Sequence, residues 1–158
     1  MSRPRARSRT KSPLIRSGQA LVEFALVAPI FFLLLFSIIE GGRFILYYQA
    51  LNNATREGAR YAIVHGSNSY CPSGPMPPGQ TAPISCYDAT GANVVKQVKD
   101  TAFGLLGSGV SVTPTWRNDN GRDSDIDVVA TYTYQPLVPI VPLPAITITA
   151  ESTLVINN

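Results

Sequence analysis

Histidine occurs once in these 158 residues and cysteine only twice. One histidine and two widely spaced cysteines do not make a metal-ligand set, so no metal is expected. The single histidine, His65, has no cysteine or serine nucleophile in a local motif around it. It reads as the end of a helix rather than as a catalytic base. Acids are absent from residues 1–18, which hold Arg3, Arg5, Arg7, Arg9, Lys11 and Arg16. The rest of the chain carries seven basic and ten acidic groups, a net of about −3. A nucleic-acid-binding protein places its basic patch on a folded body, with aromatics interleaved. Here the cationic charge sits on a polar leader without apolar periodicity, so nucleic acid is not an expected partner. A twin-arginine pair is missing, and no Ala-x-Ala-like site follows the apolar run around Ser37–Arg43. Together with the length of that run, this argues against a cleaved secretory signal peptide.

What the chain does have is the apolar stretch Ala20–Ile39, interrupted by one acid, Glu23. Twenty residues of helix span about 30 Å, the thickness of a bilayer's hydrocarbon core. The basic flank keeps the N-terminus cytoplasmic and puts the C-terminal part on the other side of the inner, or cytoplasmic, membrane, as a single-pass protein. A carboxylate near one end of such a helix asks for a partner. Cleavage after Gly18 would create one, a cationic amine at Gln19, four residues before Glu23. Glu23 has two other readings: an edge charge that snorkels, or a partner of Arg16 in the uncut chain. The other reading of Gly18 is an ordinary leader glycine, which its spacing to Glu23-Phe24 disfavours.

Cys71 and Cys86 lie beyond the span. They are either two unrelated thiols or a disulfide closing a Pro/Gly-rich loop, and an oxidising compartment favours the bridge. A bridge across a loop of this size contributes about 3 kcal/mol in the chain-entropy treatment.

The patterning predicts a helix from about Gln19 to Val64–Gly66, roughly 70 Å long at 1.5 Å per residue. Pro29 bends it, and Gly41-Gly42 is a second soft point. Phe44, Tyr47 and Tyr48, beside Arg43, are placed as an interfacial aromatic belt. Beyond them Leu51, Ala54, Thr55, Gly58, Ala59 and Ala62 form one small-residue face, with Asn53, Arg56, Glu57 and Arg60 opposite. That face serves either packing against a sheet or a contact between subunits. Residues 66–87 read as loop. Asp88 or Thr90 caps a second helix to about Leu106, with Ala92, Val95, Val98, Ala102 and Leu105 inward. Strands follow at Val110–Trp116, Ile126–Tyr134 and Ala145–Ile156, the first demoted to an edge by Pro114. Asp123, Asp125 and Asp127 alternate without the glycine or closing glutamate of a calcium loop, and read as a solvated strand entry. The fold class is α+β: a long N-terminal helix, half membrane and half amphipathic, packed on a small antiparallel sheet with a second short helix. Three regions result: a leader at 1–18, the helix at 19–65 with its membrane segment at 20–40, and a head at 66–158.

The segment Gly18–Phe24 resembles the cleavage site of type IV prepilins. It is closer to the TadE-like pseudopilins of tight-adherence, or Flp-type, pilus systems. The residues that carry this are Gly18, Glu23-Phe24, Pro29, Glu40-Gly41-Gly42-Arg43 and Gly58-Ala59-Arg60, in that order. The resemblance implies a non-catalytic minor pilin or assembly factor with no cofactor, cut by a prepilin peptidase between Gly18 and Gln19. Glu23 and Phe24 would then set helix register during assembly. Implied partners are the peptidase, other pilin-like subunits, the assembly platform and membrane lipid. The competing readings are an uncleaved, membrane-anchored extracytoplasmic binding module and, less supported, an enzyme on a membrane tether.

Overall fold

The computed structural model describes residues 14–83, 85–137 and 144–157, with side chains from Gly18 onward. Most of the basic leader, and Pro139 and Pro142 of the proline-spaced loop, lie outside the described residues. The chain forms two units, Met1–Ile39 and Glu40–Asn158.

In the first unit the backbone is helical from Leu14, the start of α1 (Leu14–Val64). The helix therefore begins five residues before the expected Gln19. Between Leu14 and Gly18 there is no proline and a single glycine, so a helix nucleated in the apolar run extends backwards at little cost. Pro29 sits inside it. Leu21, Phe24, Leu26, Ile30, Phe31 and Ile38 are all exposed. Among the described residues, the one helix long and apolar enough to cross a membrane is Gly18–Val64, and its most apolar stretch is unburied with a mean hydropathy of 2.6. Such a surface needs a solvent other than water. The Ser37 hydroxyl donates to the Leu33 carbonyl at 2.7 Å, so it does not add an unpaired polar group to this stretch.

The second unit packs the remainder of α1 and a second helix, α2 (Ala92–Leu106), against a three-stranded antiparallel sheet. The strands β1 (Val110–Trp116), β2 (Asp125–Tyr134) and β3 (Ile146–Val155) run in the order β1-β2-β3. Pro114 accordingly lies on an edge strand, opposite Val128. Even-numbered residues of β2 and β3 turn inward, among them Ile126, Val128, Ala130, Ile148 and Ala150. All six residues of the small-residue face of α1 are buried. A Cβ built on Gly58 would overlap a methyl of Val98, so α2 crosses α1 at a point where only glycine fits.

Two expectations shift. The inward face of α2 is Val94, Val98, Ala102 and Leu106, an i, i+4 series; Ala92 and Leu105 are exposed. The N-cap is Gly91, in the left-handed region and without a side-chain cap bond, rather than the expected Asp88 or Thr90, so the helix starts later; Asp88 instead accepts from the Asn93 N–H at 2.7 Å from outside the helix. Phe44 and Tyr47 do not form a lipid-facing belt. Phe44 stacks edge-on against Tyr134, with ring centroids 5.5 Å apart, and Tyr47 contacts both Tyr132 and Tyr134. Only Tyr48 of the three stays exposed. The inward aromatics of β2 offered those rings a protein surface, which a reading of the helix alone does not register.

Candidate functional site

The junction singled out by the sequence lies wholly on α1. Gly18, Gln19, Glu23 and Phe24 are exposed, and a Cβ at Gly18 would meet nothing within 4 Å. Helical spacing puts Gln19 and Glu23 on one face, one turn apart. The Gln19 amide Nε2 donates to Glu23 Oε1 at 3.3 Å. The uncut backbone thus already brings the carboxylate to residue 19. Gly18 lies four residues into the helix, where fraying costs least and where glycine has the greatest conformational freedom.

A second polar cluster stands where the apolar run ends. Arg43 Nη1 lies 3.2 Å from Glu40 Oε2, a pair one turn apart flanking Gly41-Gly42. The Glu40 carboxylate also accepts from the Tyr134 hydroxyl, in a short contact, and from the Leu137 N–H at 3.2 Å. Arg43 sits 5.7 Å from the ring centres of both Tyr47 and Tyr134, within reach of the negative ring faces. Burial, and then the hydrogen bond to Glu40, push the Tyr134 phenol up to about 12, so it remains a donor throughout the physiological range. One carboxylate of the helix therefore gathers the end of β2 and the start of the following loop. The sequence presented Glu40 only as part of a family pattern. Its partner Tyr134 lies 94 residues away, and no local signal links them.

Cys71 and Cys86 are joined by a disulfide with a Cα–Cα distance of 5.1 Å. The loop they close is tied to the helices by backbone bonds from Ser73 N–H to His65 O at 2.8 Å and from Gly74 N–H to Asp88 O at 2.7 Å. Asp88 accepts from the Ser73 hydroxyl at 3.0 Å, from the Thr90 hydroxyl and from the Asn93 N–H. Burial works to raise its pKa, but these donors outweigh it and hold the carboxyl below its ordinary range. Asn120, fully buried, donates through Nδ2 to Ser73 O at 3.2 Å, and its own N–H bonds Pro75 O. His65 Nδ1 lies 2.8 Å from Tyr61 O and its ring stacks on Tyr61. Asp125 pairs with Arg117 at 2.8 Å and Asp127 accepts from Thr153, so both serve the sheet.

These features combine a helix of membrane length with a disulfide-bonded α+β body. Residues 18–60 match the model of the family described as TadE-like protein. The matched segment runs along α1 and stops before the disulfide loop, α2 and the sheet. Along α1 the chain is thus similar to TadE-like proteins. No curated protein and no solved structure matches the chain.

Proposed function

We propose that the protein is a non-catalytic minor pilin or pseudopilin of a tight-adherence pilus, matured by prepilin peptidase between Gly18 and Gln19. The observation that carries the reading is the contact between residue 19 and the Glu23 carboxylate, at the border of a basic leader and an unburied apolar helix. Cleavage replaces a neutral amide bond at Gln19 with an ammonium group. In surroundings poor in water, an ammonium and a carboxylate one turn apart stabilise each other, and either alone is costly. Staggered neighbouring helices can share that pair, so it sets axial register as subunits bundle. Gly18 gives the protease a backbone without a side chain.

In this reading the arginine-rich leader remains in the cytoplasm, the segment from residue 20 to residue 40 spans the inner membrane, and the disulfide-bearing body lies outside. Its partners are the peptidase, other pilin-like subunits, the assembly platform and lipid. Intact mass and N-terminal sequencing of the membrane-extracted protein test the central step. A chain beginning at Gln19 is the expected product; one that retains Arg3–Arg16 supports the uncleaved binding module instead. Glu23→Ala is expected to reduce entry into the pilus assembly, and unchanged entry would remove its register role.

A further inference from the structure

The strand β3 has a free edge over Ile146–Val155, since no described strand pairs with its outer side. The two edges of this sheet are treated differently. β1 carries Pro114, whose missing N–H hinders pairing there. β3 has no proline over its ten residues and one charge, Glu151. Beside it lies an open groove of about 430 Å³, lined by Asn53, Arg56, Glu57 and Arg60 of α1 and by Ser152 and Leu154 of β3. Its walls are thus a helix and an edge strand, and its charge is net positive. Arg60 is partnered by Glu57 at 3.3 Å, in an exposed pair that a better acceptor displaces easily.

We infer that this groove is a docking surface for an extended acidic segment of a partner protein, which adds to the sheet alongside β3. A strand added there hydrogen-bonds through its backbone and turns alternate side chains towards α1. Those side chains recur about every 6.8 Å, whereas Arg56 and Arg60, four helical residues apart, are separated by about 6 Å of rise. Two carboxylates at i and i+2 of such a strand match this spacing, and guanidinium groups hold carboxylates by charge-assisted bonds. Leu154 and Ser152 offer the same face an apolar and a polar contact. A second copy does not supply this segment. Its own alternating acids include Asp125 and Asp127, which lie in the central strand β2, already paired with β1 and β3. The surface belongs to the body, and the inference does not depend on cleavage at Gly18.

The test uses the full-length protein in detergent and fluorescent Thr/Val peptides of about eight residues, the length of a typical added strand. One peptide carries glutamates two residues apart, a second carries lysines there, and a third is the acidic peptide N-methylated at alternate residues. Fluorescence anisotropy is expected to show binding of the first only. Arg56→Glu/Arg60→Glu is expected to weaken it by roughly tenfold or more, as loss of two charge-assisted pairs requires. Arg56→Gln/Arg60→Gln should give an intermediate loss, with far-UV circular dichroism unchanged in both. Equal binding of the acidic and lysine peptides overturns the inference. So does full affinity in either double variant, undiminished binding of the N-methylated peptide, or no binding of the acidic peptide. Sedimentation showing that a second copy occupies the edge also overturns it.

Discussion

Replacing both cysteines, as Cys71→Ser/Cys86→Ser, should cost the body about 3 kcal/mol. The bridge links residues separated by 15 positions, and the chain-entropy expression gives that figure for a loop of this length. The folded geometry should survive, because the Ser73–His65, Gly74–Asp88 and Asp88–Pro72 backbone bonds hold the loop independently of sulfur. For a body of this size each kcal/mol moves the melting temperature by about 3–5 °C, so a drop of roughly 10 °C is expected. Trp116, the single tryptophan, packs its indole against Gly74 inside the bridged loop and against Gly91. Its emission therefore reports on the loop while far-UV circular dichroism reports on the whole chain. Both probes should move together, in detergent-solubilised protein with thiol content verified by mass. Two results would refute the reasoning. One is a circular dichroism transition unmoved by loss of the bridge. The other is a tryptophan red-shift well below that transition, which would mean that the bridge holds only its own loop.

Gly58→Val should destabilise the body by about 1–3 kcal/mol through overpacking against Val98, and Val98→Ala should recover part of the loss in a double-mutant cycle by denaturant unfolding. In an alkaline absorbance titration, one of the seven tyrosines should ionise near pH 12, and Tyr134→Phe should remove that step. Because the folded pKa of Tyr134 is raised, its contribution to stability is complete below about pH 10, the unfolded value, and is lost as pH rises through about 12. Asp88 acts in the opposite sense. Its folded pKa is depressed, so its contribution is present above an unfolded value of about 4 and disappears as pH falls through the lower folded value. Asp88→Asn should therefore flatten the acid side of the stability profile and leave its slope near neutrality unchanged, as measured by urea unfolding across pH.

Much of this architecture is legible in the chain because its signals are local and periodic. The apolar run, the small-residue face from Leu51 to Ala62 and the alternation in β2 and β3 each follow from spacing within one element. Pro114 reports its edge position because a missing N–H cannot serve a central ladder. What the sequence conceals depends on contacts between distant elements. Val94 and Val95 are alike in the sequence, and which of them faces inward depends on α2 starting after Gly91 and packing on β1. Phe44 and Tyr47 have the composition of an interfacial belt, and only the arrival of Tyr132 and Tyr134 makes them part of a core. The Gly18–Phe24 junction stands out by the change from basic charge to apolar helix. The hydrogen bonds of Glu40 do not, because its donors are the Tyr134 hydroxyl at the end of β2 and the Leu137 N–H of the loop beyond it.

That arrangement has a mechanical consequence. A pull applied at Glu40 reaches the body by two routes, one along the peptide backbone through Gly41-Gly42 and one sideways through the Tyr134 hydroxyl into β2. The first route runs through two glycines of the continuous helix, weak helix formers, whereas the lateral route ends in the strand that hydrogen-bonds to both its neighbours. Part of the tension is thereby delivered to the strand braced on both sides, beside the path along the helix.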